Sequence, residues 1–307
     1  MFHTILTHRR THLDEICAIL MLKMCGEKQF PGIGNAKVVF EGAGGEEVHG
    51  CSAEDWESQG VVCIGVGGGR FDEHPGPGVP KKNGECASTL VAKALGIDND
   101  PAWEKILQFV KNSDLKASGG PFDLAQMIKA AHQAYPNDPQ KVFEWALFGL
   151  EVKYKEQQVF LAAIREIKES STEEKVHLSD GTALVMVTAV TENENFSKAA
   201  RSKGAAIVIQ QQSSGNVQIF IDKRFRGLTL CGIAAILRRE EAKANERIIT
   251  TDSQTLRSEG KVAGAEEWFY HKPGEFLLNG SSTTPNNPTK LTLDQIKEIV
   301  RNEVGHL

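Results

Sequence analysis

The sequence predicts an α/β protein of two domains, with a parallel sheet in the first domain and a second, smaller α/β domain after it. Its 307 residues exceed what one hydrophobic core comfortably serves. Apolar runs that end in glycine, such as "GVVCIGVGGG", alternate with helical segments, which is typical of buried parallel strands. A charged stretch, "EIKESSTEEK" at 166–175, marks a change of pattern, so we expect domains at 1–168 and 176–307.

The first domain begins with a short β-compatible segment at 2–7, followed by a helix in "DEICAILMLKMCG" that ends at Gly26. "AKVVFEG" and "GVVCIGVGGG" predict two more buried strands. A turn-rich loop, "RFDEHPGPGVPKKNG", leads to a helix in "ECASTLVAKALG" and to two more in "PAWEKILQFVKNS" and "PFDLAQMIKAAHQAY". Apolar spacing over 138–170 predicts one long or broken helix.

The second domain is predicted to be richer in hairpins. "VHLSDGTALVMVTAV" has an Asp-Gly turn between two apolar runs, and a second hairpin is centred on Ser213 to Asn216. Helices near 230–243 and in "LDQIKEIVRNEV" flank a further strand in "WFYHKPGEFLLNG". These signals predict strands with helices packed against them.

Charge and cysteine content limit the class of protein. The balance of 35 basic and 40 acidic residues gives a net charge of -5, so any binding of phosphate must come from a local cluster. The six cysteines lie singly with no CxxC pair, which is typical of reduced thiols in a cytoplasmic protein. The longest later apolar stretch, "ALVMV", is far shorter than a membrane span, so no membrane partner is expected.

Metal-binding side chains follow the predicted strands. They fall in three places, namely His8, His12 and Asp14, then Asp72, Glu73 and His74, and lastly Asp114 in "FVKNSD". Loops at the carboxyl ends of parallel strands converge, so these donors are candidates for one centre. Imidazole and carboxylate together suit Mn²⁺, Zn²⁺ or Fe²⁺ better than Mg²⁺.

Each of these residues also has an ordinary structural interpretation, because a single His or Asp in a loop is more often structural than catalytic. The glycines at 67–69 lack the full spacing of a dinucleotide-binding motif and can form an ordinary turn. The chain has neither a GxSxG nucleophile motif nor a P-loop. The hypothesis of a metal site therefore depends on the coincidence of two donor clusters at strand ends.

The pattern His8-x-x-x-His12-x-Asp14, followed by "RFDEH" and the small-residue helix "GECASTLVAKALG", resembles the DHH phosphoesterase superfamily. Within it, "THRRTHLDE" together with "VGGGRFDEH" is most similar to the melanocyte proliferating gene family of metal-dependent exonucleases. The resemblance covers residues 4–115 and rests on several motifs in order.

The resemblance implies roles for individual residues. The metal ligands would be His8, His12, Asp14, His74 and Asp114, with Asp14 and His74 at the catalytic centre. Asp72 would brace a histidine more than touch metal. Mn²⁺ is the metal expected, with Zn²⁺, Co²⁺ and Mg²⁺ as alternatives. The metal would ionise water at neutral pH, so no protein nucleophile is needed.

Two positions depart from the family pattern. Glu73 stands in the middle of the Asp-His-His motif, and Gly65 stands where the family has an Asp that bridges two metals. Glu41 or Glu73 would have to supply that bridge. On this basis Gly65→Asp is expected to leave activity unchanged or to raise it.

The resemblance implies that the second domain, similar to DHHA1 domains, holds the phosphate or terminal nucleotide of the substrate. The cationic candidates for substrate binding are Arg9, Arg10, Arg201, Arg224, Arg226 and His271. The expected activity is metal-dependent hydrolysis of small phosphodiesters or nucleic-acid ends, such as short oligonucleotides. The alternatives are an unrelated zinc hydrolase that uses His8, His12 and Asp14, and a degenerate relative that binds a nucleotide or a partner.

Overall fold

The computed structural model describes residues 1–42, 47–74, 82–117, 119–280 and 287–306. Residues 75–81 of the predicted turn-rich loop lie outside these ranges. The chain divides into two compact units, Met1–Gln158 and Val159–Leu307. A three-stranded parallel sheet and a seven-stranded mixed sheet confirm the predicted mixed α/β class. Within the described ranges, no helix is both long and apolar enough to cross a membrane.

The sheet of the first unit brings three strand ends level with one another. Its strands are β1 (Thr4–Thr7), β2 (Lys37–Phe40) and β3 (Val61–Ile64), in the order β2-β1-β3. Both pairings are parallel, and Thr7 lies opposite Phe40 on one side and Ile64 on the other. The loops after all three strands therefore leave the same edge of the sheet.

Helices pack around this small sheet. They are α1 (Leu13–Cys25), α2 (Ala53–Ser58), α3 (Ala87–Leu95), α4 (Pro101–Lys116), α5 (Leu124–Ala134) and α6 (Pro139–Ser170). A short 3₁₀ helix spans Ile33–Asn35. The long apolar pattern is one continuous helix, α6, and α2 is the helical segment expected between the second and third strands. Helix α1 is the central helix, because ten of its consecutive residues are buried against the sheet and the helices around it.

The predicted domain boundary differs from the division in the structure. Residues 166–175 form the end of α6 and the start of β4 (Thr172–His177), and the division falls earlier, after Gln158. The stretch is polar because β4 is an edge strand that pairs only with β5 (Ala183–Val190), and edge strands are commonly protected by charge. The charge of this stretch is thus explained by the end of α6 and an edge strand.

The second unit is built on the mixed sheet. Its other strands are β6 (Ile207–Gln211), β7 (Val217–Ile221), β8 (Gly260–Val262), β9 (Ala265–His271) and β10 (Phe276–Leu278), and the order is β4-β5-β6-β7-β10-β9-β8. Strands β5 and β6 pair in parallel, and the other neighbours pair antiparallel. The hairpins predicted at the Asp-Gly turn and at Ser213 to Asn216 are confirmed.

The segment predicted as a single strand in "WFYHKPGEFLLNG" is two strands, β9 and β10. Pro273 has no N–H to offer a sheet, and Glu275 adopts a left-handed backbone with a φ of 49°. The chain therefore reverses between His271 and Phe276, which lie opposite each other in the antiparallel pair.

Helices α7 (Phe196–Ser202), α8 (Cys231–Ala244), α9 (Ser253–Leu256) and α10 (Leu293–Val304) complete this unit. An apolar core that includes Ile219, Leu237, Trp268 and Val300 joins the sheet to α8 and α10. A second cluster, which includes Phe196 and Val208, joins the sheet to α7. The sheet thus has helices packed on both of its faces.

Arg238 of α8 is fully buried and binds backbone carbonyls rather than a carboxylate. Its guanidinium donates to the Trp268 oxygen at 3.0 Å, the Leu256 oxygen at 2.7 Å and the Ser258 oxygen at 2.9 Å, and it also donates to the Gly260 oxygen. Burial lowers the pKa of Arg238 to about 10. One side chain therefore ties α8 to α9 and to strands β8 and β9.

Replacing Arg238 should strongly destabilise the second unit. Arg238→Ala leaves several buried carbonyls without donors, and the free energy of unfolding should fall by about 3 kcal/mol or more. Denaturant unfolding measures the loss. Arg239→Ala is the matched control on the same helix, because Arg239 is exposed, and it should change stability by less than about 0.5 kcal/mol. Equal effects of the two substitutions would contradict the role of Arg238.

Candidate metal centre

The centre is built from the loops that follow β1 and β3. His8 comes directly after Thr7, and Gly65 comes directly after Ile64, so the two residues leave neighbouring strands at the same level. The loop after β3 continues through three glycines to Asp72, Glu73 and His74. The strand-end placement predicted for both donor clusters is present in the structure.

His8 is held by a buried carboxylate from α1. Its Nδ1 lies 2.5 Å from Oε1 of Glu15, a fully buried side chain that also accepts the N–H of His12 through Oε2. Burial alone would lower the pKa of His8, but the hydrogen bond to Glu15 and the charge of Glu15 outweigh it and raise that pKa. Burial alone would raise the pKa of Glu15, but its contacts with His8 lower it. A short, partly buried hydrogen bond therefore holds the two side chains together.

His74 is held in the same way by Asp72. Its Nδ1 lies 2.9 Å from Oδ1 of Asp72, which also accepts the His74 N–H at 3.0 Å. The other oxygen of Asp72 accepts the Gly68 N–H at 3.0 Å, and the residue is 1% exposed. The hydrogen bond to Asp72 is the main cause that raises the pKa of His74. Asp72 therefore braces the histidine ring and the glycine loop before it.

The two braced rings lie side by side. The ring centroids of His8 and His74 are 5.6 Å apart, and those of His8 and His12 are 6.1 Å apart. Since the Nδ1 atoms of His8 and His74 are engaged by carboxylates, Nε2 of each ring is left to bind another group. A carboxylate on the far nitrogen is the usual support for a histidine that binds metal.

Buried acidic groups surround the histidines. Asp14 is 2% exposed, and burial, followed by the charges of Glu15, Asp114 and Glu73, raises its pKa well above the usual range. Burial is also the main cause that raises the pKa of Glu73 to about 7. Oε2 of Glu73 is buried and has no hydrogen-bond partner among the residues that the structure describes. An orphaned carboxylate oxygen amid mutually repelling acids fits a bound divalent cation.

Ligand atoms cluster closely enough to share an ion. Three groups have their candidate atoms within 4.8 Å of one another, namely His12–Asp14–Glu15, Asp72–Glu73–His74 and Asp14–Cys86–Asp114. All seven predicted metal residues except His8 occur in these groups, and His8 contacts Glu15 and lies beside His74. Glu15 and Cys86 were not predicted. The Asp14-Glu15 pair in the sequence was a signal for Glu15, whereas an isolated Cys86 gave none.

Gly65 is packed against Glu15. Its backbone has a φ of 66°, and a Cβ at this position would lie 2.8 Å from Cγ and 2.9 Å from Oε1 of Glu15. Of the two acids expected to replace the missing Asp, Glu41 pairs with His49 instead, whereas Glu73 belongs to the cluster. The carboxylate of Glu15 fills the space beside the strand end, so an Asp side chain at 65 would have to displace it.

A cavity of about 280 Å³ adjoins this cluster. Its lining combines the acids Asp14 and Asp114 with His12, Ser113 and Lys129, and its remaining wall is apolar. Arg9 and Arg10, proposed to bind substrate, are exposed in the turn that follows His8. The first unit thus has an acidic centre, a neighbouring cavity and cationic side chains near its loops.

The side chains of the second unit that were predicted to bind substrate differ in exposure and in their existing contacts. Nη2 of Arg224 lies 2.5 Å from Asp222, which neutralises it, whereas Arg226 is exposed. Arg201 is half-buried and lies over the Phe220 ring with 5.8 Å between Cζ and the ring centroid. His271 stacks on Phe276 with 4.5 Å between ring centroids and accepts the Gly274 N–H through Nδ1. His271 is half-exposed, so it is not part of the apolar core.

Comparisons with known proteins add little to this geometry. No protein-family model and no curated protein matches the chain. Among solved structures, the chain is similar to an uncharacterized protein from Helicobacter pylori G27, with 11% identity, 98% of each chain covered and a TM-score of 0.24. A likeness at this level carries no argument about fold or function.

Introducing Asp at position 65 should destabilise the protein. Gly65→Asp forces a side chain against Glu15, places a second buried charge beside it and strains the backbone. We therefore expect the free energy of unfolding to fall by about 3 kcal/mol or more. Gly50→Asp is the control, because Gly50 has a φ of 72° and nothing within 4 Å of its built Cβ. In denaturant unfolding, Gly50→Asp should lower the free energy of unfolding by only about 1 kcal/mol. Equal losses would show that Glu15 does not occupy this space.

Removing the charge of Asp14 should stabilise the metal-free protein. Because the folded-state pKa of Asp14 is raised, ionising Asp14 destabilises the folded protein. This destabilisation is absent below the unfolded-state pKa and grows as the pH rises above that value. Asp14→Asn keeps the shape and an oxygen for the Ala87 N–H, so at pH 8 it should gain on the order of 1 kcal/mol. The gain should vanish near pH 3. Thermal unfolding with a chelator present measures it, and a lower Tm at pH 8 would contradict the account.

Proposed function

We propose that this chain is a metal-dependent phosphoester hydrolase of DHH type, similar to the melanocyte proliferating gene family, which cleaves small phosphodiesters or nucleic-acid ends. One observation carries the proposal. His8 and His74, from the loops of adjacent parallel strands, are each braced through Nδ1 by a buried carboxylate and lie 5.6 Å apart beside an orphaned acid. Such an arrangement is expensive to bury unless a cation joins it.

Several residues would hold the metal. His8, His12, Asp14, Glu73, His74 and Asp114 offer atoms for one or two ions. A bound divalent ion neutralises charge on phosphate oxygens and lowers the pKa of water toward 7. Imidazole and carboxylate ligands together favour Mn²⁺, with Zn²⁺, Co²⁺ and Mg²⁺ as alternatives.

Other side chains would support the histidine ligands of the metal. Glu15 and Asp72 keep His8 and His74 in one tautomer and orientation, since each accepts the Nδ1 proton. Burial raises the pKa of Glu73 to about 7, and a cation bound beside its Oε2 would favour the ionised carboxylate. The loop after β3 thus contributes both a braced histidine and a carboxylate to the proposed site.

The neighbouring cavity limits what the first unit can enclose. Its volume of about 280 Å³ is near the lower end of small-molecule sites, so it suits one terminal residue of a substrate rather than an oligonucleotide. Lys129 at its wall supplies a positive charge for a phosphate. The DHHA1-like role of the second unit would rest on Arg201, Arg226 and His271, because Arg224 is already paired.

A catalytically degenerate binding protein is the second candidate, favoured by the absence of an Asp at position 65. An unrelated zinc hydrolase that uses His8, His12 and Asp14 is the third. About two equivalents of Mn²⁺ would favour the phosphoesterase, one tightly bound Zn²⁺ the zinc hydrolase, and no metal the degenerate protein.

Hydrolysis should depend on metal and on His74. After chelation the protein should be inactive on a bis-aryl phosphate and on an end-labelled short oligonucleotide, and Mn²⁺ should restore activity. His74→Asn should lower kcat/KM by about 100-fold or more, since each ligand supports a metal worth several kcal/mol in the transition state. His306→Asn, which changes an exposed histidine of the second unit, is the control and should have no effect.

Two outcomes would overturn the proposed hydrolase. If the wild type hydrolyses no phosphoester with Mn²⁺, Mg²⁺, Co²⁺ or Zn²⁺, the degenerate binding protein replaces the enzyme. If His74→Asn and His306→Asn retain equal activity, the hydrolysis does not come from this centre.

A further inference from the structure

We propose that the thiolate of Cys86 is a metal ligand, together with Asp14 and Asp114, at a position that prefers Zn²⁺ or Co²⁺ to Mn²⁺ or Mg²⁺. The inference rests on the proposed function and deepens it by naming a ligand outside the set that the sequence motifs suggest. It concerns the identity of the metal and the side chain that selects it.

The geometry places sulfur and two carboxylates around one point. The candidate atoms of Asp14, Cys86 and Asp114 all lie within 4.8 Å of one another. Cys86 is fully buried and Asp14 is nearly so, while Asp114 is exposed and lines the cavity of about 280 Å³. An ion could therefore enter from the cavity and meet the two buried ligands at its inner end.

The first turn of α3 fixes the thiol in this place. Cys86 is the N-cap residue of α3, and its N–H donates to Oγ1 of Thr89 at 3.0 Å. The next residue, Ala87, donates its N–H to Oδ2 of Asp14 at 3.3 Å, which ties the helix start to α1. Sγ of Cys86 has a single hydroxyl neighbour, Oγ of Ser88 at 3.2 Å. The position of the sulfur is therefore set by the backbone at the start of α3, and the Ser88 hydroxyl is its one described side-chain partner.

A separate observation indicates that the cluster is built for a cation. Oε2 of Glu73 is buried with no hydrogen-bond partner among the described residues, and the charge of Glu73 acts on both Asp14 and Asp114. Glu73 thus repels Asp14 and Asp114, whose ligand atoms lie within 4.8 Å of the Cys86 sulfur. Repulsion of this kind in a buried place is relieved by a bound cation.

The chemistry of sulfur sets the preference. A thiolate is a softer ligand than a carboxylate or water and selects Zn²⁺ and Co²⁺, whereas Mn²⁺ and Mg²⁺ favour oxygen. On binding, the metal–sulfur bond replaces the sulfur–hydrogen bond, and the proton passes to solvent. No oxidant or reductant is needed, because neither the sulfur nor the metal changes oxidation state.

Cobalt spectroscopy tests the proposal directly. Full-length protein freed of metal is titrated with Co²⁺, and bound cobalt is counted by equilibrium dialysis while the near-ultraviolet sulfur-to-cobalt charge-transfer band is recorded. The wild type should show the band in proportion to bound Co²⁺. Cys86→Ser should lose the band and weaken Zn²⁺ binding by about 10-fold or more.

Matched controls separate Cys86 from the other thiols. Cys17→Ala changes a buried cysteine of α1, and Cys231→Ser changes a half-buried cysteine of the second unit, so both should keep the band. Circular dichroism of the metal-free variants confirms that each is folded. If Cys86→Ser is unfolded, Cys86→Ala takes its place in the same titration.

The outcomes distinguish this proposal from the function on which it rests. Bound Co²⁺ without a charge-transfer band, or a band that survives in both Cys86 variants, overturns the thiolate ligand and leaves the metal-dependent hydrolase intact. Absence of Co²⁺ and Zn²⁺ binding altogether also overturns the thiolate ligand, whereas the proposed hydrolase is overturned only if Mn²⁺ likewise restores no hydrolysis. A band that disappears only when Cys86 is changed supports the assignment.

Discussion

The buried hydrogen bond between His8 and Glu15 is the contact on which the candidate centre depends. It joins the loop after β1 to the first turn of α1, and the same carboxylate caps the N–H of His12. It also lies against Gly65 at the end of β3, where a side chain would displace it. One carboxylate therefore orients one histidine, starts the helix that carries Asp14 and requires glycine on the neighbouring strand.

Electrostatics support the proposal that this cluster binds a metal ion. Burial and neighbouring acids raise the pKa of Asp14 and Glu73, which means that folding works against their ionised forms. A protein that needed only a stable core would do better with apolar side chains of similar volume. Retained charge at a strand edge beside a cavity is instead typical of functional sites, where stability is given up for activity.

Much of this site could be predicted from residues in order along the chain, and part of it could not. His8 and His74 follow apolar strands, and level strand ends bring such residues together, so sequence position was enough. Cys86 does not follow a strand, and it joins the cluster only through packing of α3 on α1. The pairing of Gly65 with Glu15 depends on side-chain packing that no spacing rule contains. In the second unit, the chain reversal before Phe276 was not predicted. It requires a left-handed backbone conformation at Glu275, which glutamate rarely adopts.

The most direct test of the metal centre is a crystal structure of the protein soaked in Mn²⁺, with the anomalous signal of manganese measured. The account predicts an anomalous peak about 2.0 to 2.3 Å from Nε2 of both His8 and His74, with Glu15 and Asp72 still on their Nδ1 atoms. An anomalous map with no peak in reach of these two histidines, in crystals that contain Mn²⁺, would contradict it.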